Sequence, residues 1–308
     1  MGYTMKRVCI YHSADKDGHA SGAIIANHFG LDNITLIGWN YGQDIPWNDI
    51  DGADEVYLVD LSFRPWKKMV ELDRRCKTLI WIDHHKSAIT DYMVWRESGE
   101  DSTTFVAKFD DVHAGCELVW EYFYGDETTP DAIHLIGRYD VWDWENVAGS
   151  LEFQYGLRAY ETRPENQELW GKLLAHSCPM VKEIISQGET IIAYKKIQDR
   201  IHIHSAGFEM EWEGYKFIAI NEMFNNSQLF DSMFDPEVHD AMLTFGYRKG
   251  KWFLGFYSPK KLLEAKGIDL GALAKRIGKK YGGSGGGHPG AAGCQLPCLP
   301  FKLPGVVS

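Results

Sequence analysis

Along the first half of the chain, continuous apolar runs alternate with segments in which apolar residues recur every three to four positions. Lys6–His12, Ile34–Gly38, Glu55–Leu61 and Thr78–Asp83 are short, apolar and bounded by turn residues, which predicts buried strands. Gly18–Phe29 carries helical spacing, and Pro65–Cys76 predicts a helix opened by its proline. Strands and helices that alternate in this way favour a parallel sheet covered by helices. Ser102–Phe109 predicts an edge strand, and His113–Tyr124 and Pro130–Trp142 predict helices. From about Asn146 the pattern turns more helical and polar, and Val181–Arg200 has the spacing of a long amphipathic helix. Strands are then predicted over His202–Trp212, Lys216–Asn221, Met242–Tyr247 and Trp252–Tyr257, with a helix over Leu270–Tyr281 and an extended strap from Pro297 to Ser308. The expected fold class is α/β, with a parallel-sheet domain and a helical linker over residues 1–195 and a smaller α/β domain over residues 196–308.

Composition narrows the chemistry. The six cysteines among the 308 residues form no C-x-x-C pair, so neither a disulfide framework nor a cysteine-rich zinc site is expected, and a reducing cytoplasm is the expected setting. The apolar run Val8–Tyr11 is too short for a signal-peptide core or a membrane span, and Lys6 stands where a myristoylation signal needs Ser or Thr. A formal net charge of −11 opposes binding to long duplex nucleic acid. Residues 260–281 reverse the sign: Lys260, Lys261, Lys266, Lys275, Arg276, Lys279 and Lys280 face only Glu264 and Asp269, a local +5. That distribution suits a small anionic ligand better than a polymer.

Four clusters in the first half hold residue types that bind hard divalent metals: His12 with Asp15 and Asp17, then Asp60, then Asp83-His84-His85, then Asp140 or its neighbour Asp143. Three of them follow predicted strands directly, where parallel sheets collect their ligands. Singly, each has a plainer explanation, since Asp15-Lys16-Asp17-Gly18 could be only a helix cap and turn, and a strand-end aspartate is often a cap. Together, four carboxylates and two or three imidazoles suit a pair of divalent ions that share a carboxylate, a set that favours manganese, with magnesium, cobalt or iron as alternatives. In Asp83-His84-His85 one imidazole can ligate metal, the other can face substrate, and the aspartate can fix a ring tautomer. A second signal is the run from Gly282 to Gly293, which includes Gly285-Gly286-Gly287-His288. Glycines let backbone N–H groups approach an anion and His288 adds a donor, so beside the basic segment this run is expected to cradle a phosphate.

The residues HSADKDG at His12–Gly18, VDLS at Val59–Ser62, IDHH at Ile82–His85, the aspartate of RYDVWDW, and GGGHPGAAG at Gly285–Gly293 together resemble the DHH phosphoesterases with a C-terminal DHHA1 domain, over nearly the whole chain. The resemblance implies that His12, Asp15 and Asp60 hold one manganese, and that Asp17, Asp60, His84 and Asp140 hold the other, with Asp60 shared. It implies that Asp83 orients a histidine and that His85 and His288 contact the substrate phosphate, with Gly285, Gly286 and Gly287 alongside. Two features depart from the family. His12 precedes Asp15 by three residues instead of four, and Lys260 stands where many DHHA1 domains place an arginine, as a point charge without the bidentate fork.

The expected activity is manganese-dependent hydrolysis of short single-stranded oligonucleotides to mononucleotides by two-metal activation of water, with Asp60, His85 and Asp83 as the catalytic residues. Trp39, Tyr41, Phe224 and Phe230 are candidates for base stacking. Rival readings are a phosphatase of 3′-phosphoadenosine nucleotides, a cyclic-dinucleotide phosphodiesterase, a pyrophosphatase and a non-catalytic nucleotide-binding regulator. No membrane partner is expected, and a homodimer is admitted.

Overall fold

The computed structural model describes residues 5–99, 105–223 and 225–303. The chain divides into two compact units, Met1–Ile192 and Ala193–Ser308. The first contains β1 (Arg7–His12), α1 (Lys16–Phe29), β2 (Thr35–Trp39), α2 (Trp47–Ile50), β3 (Glu55–Val59), α3 (Lys67–Arg75), β4 (Thr78–Asp83), α4 (Lys86–Glu97), β5 (Val106–Phe109), α5 (Gly115–Tyr124), α6 (Asp131–Asp140), α7 (Ser150–Gly156) and α8 (Gln167–Leu173). The chain passes into the second unit along α9 (Pro179–Ala206).

The five strands of the first unit lie in the order β2-β1-β3-β4-β5, and every neighbouring pair is parallel. Because strand side chains alternate between faces, Cys9, Tyr11, Tyr57, Val59, Ile80 and Ile82 enter one core, against α1, α5, α6, α7 and α8. Val8, Ile10, Val56, Leu58, Leu79 and Trp81 enter the opposite core, against Ile50 of α2, Met69 and Leu72 of α3, and Ala88 and Tyr92 of α4. Burial on both faces explains why these strands have apolar runs instead of an in-out alternation. Strand order reverses at β1, with β2 on one side and β3 on the other. Connections therefore leave in opposite directions and a crevice opens beyond the carboxyl ends of β1 and β3. His12 ends the first of these strands and Asp60 follows the second.

Helix α4 has no counterpart in the periodicity. Its apolar Met93 and Val94 are exposed, which blurs the face that Ala88 and Tyr92 bury. The strand expected from His202 begins later. Residues 202–206 continue α9, with Ile203 buried at a helical position, and Gly207 closes the helix by donating its N–H to the Ile203 carbonyl at 2.8 Å.

The second unit adds β6 (Phe208–Trp212), β7 (Tyr215–Asn221), β8 (Ala241–Arg248), β9 (Lys251–Tyr257), α10 (Lys260–Lys266), α11 (Leu270–Lys280), β10 (Ser284–Gly287) and β11 (Ala291–Leu296). Its sheet runs β10-β11-β9-β8-β7-β6, parallel only at β7 and β8. Leu270, Leu273, Ala274 and Ile277 of α11 cover one face. The tail joins them, with the Phe301 ring 5.0 Å from Trp212 and 5.2 Å from Phe245. No helix among the described residues is long and apolar enough to cross a membrane.

Candidate metal centre

The turn from β1 into α1 delivers three of the expected residues. His12 closes the strand, Asp15 caps α1 by accepting the Gly18 N–H at 2.9 Å, and Asp17 lies in the helix's first turn. Asp17 is buried, and its two carboxylate oxygens accept the backbone N–H groups of Gly115 (2.8 Å) and Cys116 (2.7 Å) at the start of α5. The positive end of a helix dipole thus faces a carboxylate. Gly115 makes that approach possible, because a Cβ there would lie 2.9 Å from Asp60 Cβ and 3.0 Å from Asp17 Oδ2.

Asp60 is at the centre. It follows β3 at φ 59°, a left-handed conformation unusual for a residue other than glycine, and donates its N–H to the Ile82 carbonyl at 2.9 Å. Its Oδ2 is 3.5 Å from His12 Nδ1, and its Oδ1 is 3.2 Å from His84 Nε2 and 3.9 Å from His85 Nδ1. Neither buried oxygen accepts a hydrogen bond, and the buried His12 Nδ1 makes none either, although it sits 2.9 Å from Asp15 Oδ2. Buried polar atoms without partners are costly in a protein interior, so several at one point suit the binding of a cation. His84 Nε2 also lies 3.3 Å from Asp140 Oδ2 and 3.6 Å from Asp17 Oδ2. Among the described residues three groups of candidate ligands emerge: His12, Asp15 and Asp60; Asp17, His84 and Asp140; and Asp60 with His84 and His85.

Asp83 is fully buried and does not face this cluster with all its atoms. Its Oδ1 accepts the N–H groups of His84 (2.8 Å) and His85 (3.1 Å) and contacts His85 Nδ1 at 2.7 Å. That contact leaves His85 Nε2 as the free ring nitrogen of a side chain that is 36% exposed. Asp143, the neighbour that sequence could not separate from Asp140, is engaged elsewhere. It lies 3.6 Å from Arg138 Nη1 and accepts from Asn146 at 2.7 Å.

Electrostatics follow from this crowding. Burial, reinforced by the Asp60 charge, pushes the Asp17 carboxyl up to about 7, and burial with the Asp17 charge pushes Asp140 up to about 7. Burial alone would lower the imidazoles, but the carboxylates outweigh it, Asp15 and Asp60 raising His12 to about 10 and Asp60, Asp17 and Asp140 raising His84 to about 10. His85 is raised as well, burial being overcome by Asp83. The cluster attracts positive charge strongly. Its donors are oxygen and imidazole nitrogen without thiolate, a set that fits manganese or magnesium.

Other expected residues sit apart from this cluster in the chain. Gly285, Gly286 and Gly287 form β10, and His288 occupies an exposed tip where its N–H donates to the Ala291 carbonyl at 2.9 Å. The run is therefore a strand and hairpin, in which packing as well as any ligand uses glycine. A Cβ at Gly285 would lie 2.2 Å from the Ala274 carbonyl oxygen of α11, whereas one at Gly286 would meet nothing within 4 Å. Lys260 opens α10, exposed, with its Nζ 3.9 Å from Glu264. Of the stacking candidates, Phe230 is core and Trp39 is buried with its indole N–H on the Asp44 carbonyl, which removes both. Tyr41 remains, 43% exposed with its ring 5.9 Å from His12, and Phe224 lies outside the described residues. Sequence reasoning missed Gly115 and Cys116, and also Asn40, whose Oδ1 lies 3.3 Å from His12 Nε2.

A model of the DHHA1 domain matches residues 236–302. No curated protein matches the sequence. Among solved structures, the chain is similar to the pGpG-specific phosphodiesterase PggH from Vibrio cholerae, at 14% identity and TM-score 0.50, over 95% of this chain and 93% of that one. It is also similar to a DHH domain described as belonging to a family of ribosomal proteins, at 13% identity and TM-score 0.59, over 96% of this chain and 83% of that one. A third structure, exonuclease RecJ bound to manganese, aligns at 12% identity and TM-score 0.48, over 95% and 86%. The chain has the DHH-type fold and carries a DHHA1 domain in its C-terminal part.

Proposed function

We propose that the protein is a manganese-dependent phosphodiesterase that hydrolyses short single-stranded oligonucleotides to mononucleotides. The observation that carries this reading is Asp60, whose two buried, unpartnered oxygens face His12 on one side and His84 on the other. In the proposed site His12, Asp15 and Asp60 hold one divalent ion and Asp17, Asp60, His84 and Asp140 hold a second. When bound, such a pair supplies Lewis acidity toward the phosphoryl oxygens and makes water nucleophilic near neutral pH. The protein's own part is positioning and proton control. Asp83 keeps the His85 Nδ1 engaged, so that His85 Nε2 is the atom offered to a phosphoryl oxygen. His288, Lys260 and the backbone of Gly285, Gly286 and Gly287 are proposed as further phosphate contacts, and Tyr41 as a surface for a base. Similarity to a pGpG-specific phosphodiesterase supports a substrate of a few nucleotides. The local +5 of residues 260–281 within a chain of net charge −11 supports a short anion over a long strand.

The test is a substrate panel with manganese, comparing dinucleotide RNA, 3′-phosphoadenosine 5′-phosphate, cyclic dinucleotides and pyrophosphate, each repeated with excess EDTA. Dinucleotide hydrolysis is expected to be fastest and to vanish with the chelator. Preferential release of phosphate from pyrophosphate or from the 3′-phosphoadenosine nucleotide would overturn the substrate assignment, and activity that persists in EDTA would overturn the metal assignment.

A further inference from the structure

Lys16 stands between two proposed ligands, Asp15 and Asp17, yet its side chain is committed elsewhere. Its Nζ donates to the hydroxyl of Thr162 at 2.6 Å, across 146 positions of sequence. The same Thr162 Oγ1 lies 2.9 Å from His19 Nδ1, and His19 Nε2 lies 3.3 Å from the Ser13 carbonyl oxygen. An ammonium only donates and a carbonyl only accepts, so the Thr162 hydroxyl accepts from Lys16 and, in the neutral ring, the His19 proton sits on Nε2 toward Ser13. Nδ1 is then the bare nitrogen and accepts the Thr162 hydroxyl proton.

Thr162 is itself an immobile post. It is 1% exposed, its carbonyl accepts the indole N–H of fully buried Trp170 at 3.0 Å, and the adjoining turn is closed by Asn166 Nδ2 on the Glu161 carbonyl at 2.7 Å. The two ends of this hydrogen-bonded relay, Ser13 and Lys16, both lie within the turn that carries His12, Asp15 and Asp17. We infer that Thr162 is a positioning residue for the metal centre, clamping the His12–Asp17 turn through Lys16 and His19 without touching ion or substrate. The inference rests on the metal-centre reading above.

Isothermal titration of the full-length protein with manganese separates the two. Wild-type protein that binds no manganese removes the metal reading itself. If wild type binds, Thr162→Val, which keeps the shape and removes both hydrogen bonds, is expected to bind manganese about tenfold more weakly, the scale of an outer-sphere loss. Thr162→Ser should restore the affinity, which a contribution from packing alone would not produce. Should Thr162→Val fail to fold by circular dichroism, His19→Phe decides, because it keeps the ring against Tyr11, now at 5.8 Å, and removes the same relay from its other end. Wild-type manganese affinity in Thr162→Val, or in His19→Phe if that variant must serve, overturns the inference.

Discussion

The cluster around Asp60 and the glycine hairpin at Gly285–Gly287 are the two most conspicuous passages of the sequence, and the structure explains them in opposite ways. Around Asp60, buried oxygens and a ring nitrogen lack partners, and the backbone at φ 59° is held in a conformation it would not choose. Among the described residues only the imidazoles of His12, His84 and His85 approach these oxygens, without a hydrogen bond. At the hairpin, by contrast, Gly285 has an internal reason, since α11 leaves no room for a Cβ. The difference teaches that unusual residues mark a binding site when their cost remains uncompensated, and that a glycine run whose absence of side chains is already used in packing is weaker evidence.

The comparison breaks most decisively at Asp60. Asp60→Ala should abolish turnover and lower manganese content measured by elemental analysis, and a variant with normal activity and bound manganese would remove the shared-ligand reading. The next largest effect is expected at the hairpin's one exposed imidazole. If His288 contacts phosphate, His288→Ala should slow dinucleotide hydrolysis about 100- to 1000-fold, as loss of a charge-stabilising donor does, while manganese affinity stays unchanged. Unaltered hydrolysis would reduce the whole hairpin to a structural element. Protons add an effect of another kind. In the proposed site manganese would displace protons held with pKa about 7 on Asp17 and Asp140 and about 10 on His12 and His84, so its affinity should rise steeply between pH 6 and 8, each displaced imidazole proton contributing about tenfold per pH unit. Titrations in buffers of different ionisation enthalpy would report the released protons, and pH-independent affinity without proton release would contradict the proposed ligand set. The smallest effect sharpens the packing side. Gly285→Ala should destabilise the protein by about 1–3 kcal/mol in a denaturant titration through steric strain, whereas Gly286→Ala, which meets nothing, should fall within about 0.5 kcal/mol. Equal effects would show that α11 yields.

Strands β1, β3 and β4 were legible in the sequence because they are buried on both faces and therefore uninterrupted, and Thr78–Asp83 appears with the predicted bounds. The residues that end those strands were legible for the same reason. What surrounds them was not. The N–H groups of Gly115 and Cys116 reach Asp17 from 98 and 99 positions away, and Thr162 reaches Lys16 from 146, so no local spacing announces them. The choice between Asp140 and Asp143 depended on which carboxylate Arg138 and Asn146 had already taken, a matter of three-dimensional competition. Helix α4 escaped because Met93 and Val94 on its exposed side interrupt the polar stripe opposite Ala88 and Tyr92.

The contact between Asp17 and the start of α5 has a kinetic consequence. Strand β1 and helix α1 are adjacent in sequence and can associate early, but the N–H pair that holds Asp17 lies four strands further along the chain and arrives only when α5 docks. A chain stalled before that step would carry His12, Asp15 and Asp17 in an unformed nest. Tight manganese uptake during refolding should therefore lag behind the recovery of helical signal, making the ion a reporter of that long-range closure and a ligand that draws late intermediates toward the native state by mass action.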